Sequence, residues 1–310
     1  MLQKILPREV NIALSSRLNM DKLYEVRLRS GGVVSLNYGG TYYFFGKTGL
    51  LENSSDAFEC TQGMLQDVVM RAADYSVYAS TKQINSGFLS VQGGIRLGIC
   101  GEVVWDNNQI RAIKNFCALN IRVPHQVLDC AKVGFEYIYC NGLIRNTLIL
   151  SPPGAGKTTY LRDLTRLFGE VRPVVNTLLV DERSEIAACY NGVPQLNVGD
   201  NTDTISNCNK AFAFEQGIRA MRPDLIVTDE LASAQDLDAI AYAMSAGVKT
   251  VASIHAYNLG DLCNKAGFRS ILDSQIFERF IVLGSFPTVG TVVQICDHKL
   301  NELCGKVALQ

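Results

Sequence analysis

In the second half of the chain, apolar residues fall into short unbroken runs rather than alternating patterns. Thr147-Leu148-Ile149-Leu150, Thr177-Leu178-Leu179-Val180, Leu225-Ile226-Val227-Thr228 and Thr250-Val251-Ala252-Ser253-Ile254 each suit a strand buried on both faces. Between them the spacing becomes helical. Leu161, Leu164 and Phe168 share one face, with Gly169 as a stop, and Ala211, Phe214, Ile218 and Met221 share another, ended by Pro223. Ser233-x-x-Asp236 is a capping-box signature ahead of Leu237, Ile240 and Met244, and Gly247 supplies the C-terminal stop. Strands alternating with helices predict a parallel sheet in an α/β fold.

The first half reads as mixed α/β. Val26, Leu28, Val33, Val34 and Leu36 predict short strands about a Gly31-Gly32 turn, and Met64, Leu65, Val68 and Val69 predict a helix within 59–71. Gly93-Gly94 punctuates a strand pair that runs on to residue 104 and a turn at Asp106-Asn107-Asn108. The change of pattern after Pro124 predicts a smaller N-terminal α/β domain, 1–130, and a second domain, 131–310.

Chemistry enters where the apolar runs stop, at Ser151, Asp181, Asp229 and His255. Ligands of open α/β sheets bind beyond the carboxyl ends of the strands, so these runs aim their polar residues at one crevice. The first leads into Ser151-Pro152-Pro153-Gly154-Ala155-Gly156-Lys157-Thr158-Thr159, the pattern of a phosphate-binding loop opening a helix, with Ser151 where the strict pattern has Gly. Glycines let backbone N–H groups turn toward phosphate oxygens, and the helix N-terminus faces the same anion. On this reading Pro153, Gly154, Ala155, Gly156, Lys157, Thr158 and Thr159 bind ATP. Lys157 reaches the β- and γ-phosphates, and the Thr158 hydroxyl joins the Mg²⁺ shell.

The run ending in Asp229-Glu230 supplies the other half of such a site. Asp229 holds Mg²⁺, and Glu230 is the general base that polarises the attacking water. In Asp181-Glu182-Arg183-Ser184-Glu185, Asp181 or Glu182 binds Mg²⁺-bound water or a nucleotide hydroxyl, unless the string is a strand-end salt-bridge cluster. His255 senses the γ-phosphate, links it to a subunit neighbour, or is structural. Arg219 and Arg222 neutralise phosphate charge in the transition state, from their own or a neighbouring subunit, or are solvated cations at a helix end.

Composition narrows the classes. With 47% hydrophobic and 19% charged residues the whole chain is no disordered polymer, and Lys+Arg 29 against Asp+Glu 30 leaves no global basic field for nucleic acid. The ten cysteines include no Cys-x-x-Cys pair, so they read as reduced thiols. No apolar run approaches the roughly 18 residues of a spanning helix, and MLQKILPREV is a poor secretory signal, so the expected location is cytoplasmic.

Several strings together resemble the stage III sporulation protein AA family, an endospore-former ATPase family related to type II and type IV secretion ATPases. They include Tyr24-Glu25-Val26-Arg27-Leu28-Arg29, Gly93-Gly94-Ile95-Arg96-Leu97-Gly98, Asp181-Glu182-Arg183-Ser184-Glu185-Ile186-Ala187, Gly192-Val193-Pro194-Gln195 and Ile218-Arg219-Ala220-Met221-Arg222-Pro223-Asp224. The resemblance implies a RecA-like P-loop NTPase that hydrolyses ATP to ADP and phosphate as a hexameric ring. It implies a place on the mother-cell side of a channel complex, peripheral to the membrane through membrane-protein partners. It also implies that Lys157, Asp229, Glu230 and His255 match the phosphate-loop lysine, the acidic pair and the histidine box, and Asp181 and Glu182 the acidic box. Asn201 and Ser233 stand where the family pattern has arginines, and Ile95 where it has histidine, which implies slower turnover. A nucleic-acid-associated P-loop ATPase and a nucleotide-gated assembly protein with little hydrolysis are the alternative readings; no basic aromatic strip supports the former.

Overall fold

The computed structural model describes residues 1–106, 108–264, 275–285 and 288–305. The chain divides into two compact units, one formed by Met1–His125 with Ala188–Gln195, the other by Gln126–Ala187 with Leu196–Gln310.

The first unit begins with α1 (Leu2–Ile5) and α2 (Arg8–Arg17), then β1 (Leu23–Arg29), β2 (Ser35–Tyr38), β3 (Thr41–Gly46) and β4 (Gly49–Leu51). Helices α3 (Gln62–Ala72) and α4 (Val77–Asn85) follow, then β5 (Phe88–Val91), β6 (Ile95–Asp106) and β7 (Gln109–Arg122). The strands form one antiparallel sheet in the order β4-β3-β2-β1-β7-β6-β5. A register shift between Leu23 and Glu25 lets Leu23 and Val26 both face the core although they are three residues apart. Helix α3 starts three residues later than the apolar spacing suggests, because Thr61 caps it and Glu59 bridges to Val33. The turn expected around residue 107 falls partly outside the described residues; Asp106 pairs with Gln109, and Asn108 has φ 61°. Segment 188–195 is held in this unit by the Tyr190 hydroxyl donating to Asp74, and by Gly93 N–H donating to Gln195 Oε1 at 2.7 Å.

The second unit carries α5 (Lys132–Ile138), a two-stranded ribbon of β8 (Tyr139–Cys140) and β9 (Leu143–Ile144), and then the expected alternation. This runs β10 (Thr147–Ser151), α6 (Lys157–Phe168), β11 (Thr177–Asp181), β12 (Thr202–Ser206), α7 (Lys210–Met221), β13 (Leu225–Glu230), α8 (Ala234–Ser245), β14 (Lys249–His255) and α9 (Leu259–Asn264). Strands β15 (Arg279–Gly284), β16 (Thr291–Asp297) and β17 (Glu302–Gly305) close the unit. The sheet order is β12-β11-β13-β14-β10-β15-β16-β17, parallel from β12 to β15 and antiparallel beyond. Every residue of β10 and β11 is buried, as expected of strands covered on both faces. Ser233 caps α8 in a full capping box with Asp236, and Gly247 follows with φ 79°. Gly169 ends α6 for a different reason from the one usual at helix ends. Its φ is −66°, but a Cβ there would lie 2.9 Å from Gly199 Cα, so the residue serves close backbone packing.

At the amino ends of the strands, Glu278 gathers β10, β14 and β15. It accepts from Arg145 at 2.7 Å, Lys249 at 3.0 Å and the Asn146 N–H at 3.0 Å, while Asn146 Oδ1 accepts from Thr250 N–H at 2.9 Å. Partial burial pushes the Glu278 carboxyl up, but these donors outweigh it and hold its pKa down at about 2, against an ordinary 4.5. The folded value lies below the unfolded one, so this stabilisation is complete above about pH 4.5 and disappears as the pH falls toward about 2. In urea denaturation, Glu278→Gln is therefore expected to cost about 1–2 kcal/mol near neutrality, with the gap to wild type closing across that acid window. Gly169→Ala is expected to cost about 1–3 kcal/mol, read as a thermal midpoint several degrees lower, because the contacts it violates are with backbone that cannot rotate away.

Candidate functional site

The loop after β10 turns on two glycines with positive φ. Gly154 has φ 75°, with open space where a Cβ would stand. Gly156 has φ 81°, and a Cβ there would come within 2.9 Å of Val289 Cγ1 and 3.2 Å of Gly290 N. An L-residue at either place would be strained, and at 156 also crowded. Pro153 is exposed and Ala155 is fully buried, so the loop is anchored on one side and open on the other. Helix α6 then begins at Lys157, with Thr158 and Thr159 in its first turn and no acidic residue there to quench its positive end. This geometry suits a phosphate group.

Three side chains from three elements meet beside the loop. Lys157 Nζ donates to Glu230 Oε2 at 3.2 Å, His255 Nε2 lies 3.0 Å from the same oxygen, and Lys157 Nζ lies 3.4 Å from His255 Nε2. The strands bring them together: β10 and β14 pair in parallel with Ser151 opposite His255, and β13 reaches the same level through a register shift between Val227 and Glu230. His255 Nδ1 lies 3.2 Å from the Ser151 carbonyl oxygen, which only accepts, so Nδ1 carries a proton and orients the ring. Nε2 faces both the Lys157 ammonium and the Glu230 carboxylate. Burial pushes the Lys157 ammonium below its ordinary value, and Glu230 and Asp229 only partly restore it.

A second cluster lies in the same cavity of about 380 Å³, which Lys157, Thr158, Glu182, Lys210, Asp229 and Glu230 all help to line. Lys210, only 3% exposed, bridges Asp229 Oδ1 at 2.9 Å and Glu182 Oε2 at 2.5 Å. Burial pushes Lys210 down, yet Glu182 and Asp229 outweigh it and hold its value above the ordinary one. Burial raises Asp229, which Lys210 only partly offsets and Asp181 and Glu182 reinforce. Thr158 and Asp229 together offer the hard oxygen donors that suit Mg²⁺.

Lys157, Thr158, Glu182, Asp229, Glu230 and His255 are thus brought together, and three other expected residues are not. Asp181 is fully buried, with Oδ1 accepting from Glu185 N–H at 2.9 Å and Oδ2 from Ile186 and Ala187 N–H at 3.0 and 2.9 Å. Its oxygens are committed to shaping the turn that presents Glu182, so its expected place as a metal ligand is corrected to a backbone clamp. Arg219 pairs with Glu215 at 2.9 Å on an exposed helix face. Arg222, with φ 50°, lines a different cavity with Asn176, Asp224 and Lys249, at the amino ends of the strands. Neither arginine reaches the phosphate loop of its own chain, because a helix that returns between parallel strands ends at their amino side. The sequence reading missed Lys210 and Arg162. Asn209 N-caps α7, so a lysine in its first turn stands against the helix dipole, a signal that it is paired. Arg162, also buried, donates from α6 to the carbonyls of Ile186 and Glu185 at 2.6 and 2.7 Å, tying the phosphate-loop helix to the acidic turn. Its place in α6, among other polar residues such as Asp163 and Arg166, carried no such signal.

Stage III sporulation protein AA of Bacillus subtilis (strain 168) is 32% identical over 307 residues, covering 97% of this chain and 96% of that protein. The ATPase DotB of Legionella pneumophila has a similar fold, with a TM-score of 0.54 at 13% identity over 89% of this chain and 77% of DotB. The pilus retraction motor PilT, solved with bound ADP, has a TM-score of 0.57 at 12% identity over 94% of this chain and 84% of PilT. The chain thus shares the mixed α/β fold of these two structures. The family model for sporulation stage III, protein AA, matches residues 2–303, and the chain belongs to that family.

Proposed function

We propose that this chain is an ATP-binding and ATP-hydrolysing motor subunit of a channel complex between mother cell and forespore. The observation that carries the reading is the meeting of Lys157, Glu230 and His255 within 3.4 Å of one another beside a glycine loop and a helix N-terminus. Pro153 to Thr159 cradle the phosphates. Lys157 leaves Glu230 for the β- and γ-phosphate oxygens, which frees a Glu230 oxygen to orient the attacking water. His255, held by Ser151, stays beside the γ-phosphate. Glu182 lines the cavity on the far side of Lys210. Magnesium, when bound, neutralises charge on the β- and γ-phosphates, and Thr158 and Asp229 are the residues that would hold it.

Arg219 and Arg222 lie away from the loop of their own chain, so in a hexameric ring they would serve a neighbouring subunit's site, while Arg183 lines the cavity of its own chain. The partners are membrane proteins of the complex, and the chain sits peripherally on the mother-cell side. Among the described residues no helix is long and apolar enough to cross a membrane. Ser233 serves as a helix cap where the family pattern has an arginine, which favours slow turnover as the second reading. In a phosphate-release assay with saturating MgATP, Glu230→Gln is expected to lose about 100-fold or more in kcat while binding nucleotide normally. Lys157→Ala is expected to lose nucleotide binding itself, measured with a fluorescent ATP analogue. Equal turnover of wild type and Glu230→Gln would remove the general base from the site, and normal nucleotide affinity in Lys157→Ala would remove the phosphate loop.

A further inference from the structure

Lys210 has no task in the mechanism above, yet its placement is demanding. It lies in the first turn of α7, where the helix dipole opposes a cation, and it is almost entirely buried. Lysine is rarely buried unless paired, and here the ammonium sits between Asp229 and Glu182 at 2.9 and 2.5 Å. Asp229 is also the carboxylate placed with Thr158 to hold a divalent cation. One carboxylate cannot serve an ammonium and a divalent cation equally, since two cations a few ångströms apart in a shielded cavity repel strongly. Among the described residues, no group of three or more His, Cys, Asp or Glu side chains is arranged to hold a metal ion by itself.

We propose that Lys210 is a positioning residue that fills the cation site of the nucleotide-free protein: its ammonium holds Asp229 and Glu182 together and keeps divalent cations out until a nucleotide carries one in on its phosphates. The inference rests on the nucleotide-site reading. When the nucleotide enters, Lys210 yields Asp229 and keeps Glu182, the nearer of its two partners. Without the ammonium, Asp229 and Glu182 would face each other as two uncompensated carboxylates, an arrangement that attracts a divalent cation from solution. Lys210 thereby makes metal entry conditional on nucleotide.

The test reads Mn²⁺ directly in the full-length, nucleotide-free protein, by the loss of free-ion signal in electron paramagnetic resonance. Lys210→Met is expected to bind Mn²⁺ at least about 10-fold tighter than wild type, a difference of about 1.4 kcal/mol. Lys210→Arg, which keeps the charge, is expected to stay as weak as wild type, and Lys210→Met with Asp229→Asn to return to weak binding. Circular dichroism checks that each variant is folded, and Lys210→Gln replaces Lys210→Met if the latter is not. Equal Mn²⁺ affinity in wild type and the folded neutral variant would overturn the proposal. So would tight binding by Lys210→Arg, or tight binding that survives Asp229→Asn. Because no nucleotide is present, these outcomes are separate from those of the phosphate-release assay: a chain that never hydrolyses ATP can still exclude Mn²⁺ through Lys210, and an active one can fail to.

Discussion

The parallel register of β10 with β14 underlies the candidate site. It sets Ser151 beside His255, and through β13 it brings Glu230 within reach of both His255 and Lys157. A strand rises about 3.3 Å per residue, so a slip of one position would carry His255 beyond hydrogen-bond distance of Glu230. Burial alone does not specify this register, because β10 and the middle of β14 are apolar on both faces and would be covered in any alignment. The specification comes from the amino ends. There Asn146 accepts from Thr250 through its side chain and from Glu278 and Arg279 through its carbonyl, while Glu278 draws in Arg145 and Lys249. A polar clamp at one end of the sheet thus aligns the chemistry at the other.

At the carboxyl ends the problem is electrostatic. Asp181, Glu182, Asp229 and Glu230 crowd one region beside the glycine loop, and each charge is compensated in its own way. Asp181 is compensated by three backbone N–H groups, Glu230 by Lys157, and Asp229 and Glu182 jointly by Lys210. The compensation is local, so a ligand can exchange with one ammonium without unbalancing the rest. The Asp181 clamp is internal to the turn and is reinforced by Arg162 from the phosphate-loop helix, which makes the acidic turn and the loop one mechanical piece.

Much of this could be read along the chain. The four apolar runs became β10, β11, β13 and β14, and the polar residue that closes each of them lies at or next to the carboxyl end of its strand. The capping box at Ser233 and the stop at Gly247 formed as their residue types require. The short strand β12 was not legible, because Thr202–Ser206 has little apolar character of its own and is recruited by pairing with β11. Strand β3 carried a readable signal in Thr41-Tyr42-Tyr43-Phe44-Phe45, whereas β4, only three residues long, takes its place from pairing with β3. Arg219 and Arg222 were attractive only because they stand close to Asp229 in sequence; the strand that separates Arg222 from Asp229 carries them to opposite ends of the sheet.

The linear order of residues determined which groups would cap which strands, because a strand's end is a local matter of where apolarity stops. The lateral order of the strands was decided only in three dimensions. That order, β12-β11-β13-β14-β10-β15, follows from how crossover helices cover both faces of the sheet, and it places β10 next to strands far from it in sequence. Lys210 gains its partners the same way. The start of α7 comes to rest against carboxylates 28 residues before it, at Glu182, and 19 residues after it, at Asp229. A long flexible side chain takes its role from the charges that folding gathers around it, and those charges are neighbours only once the sheet has closed.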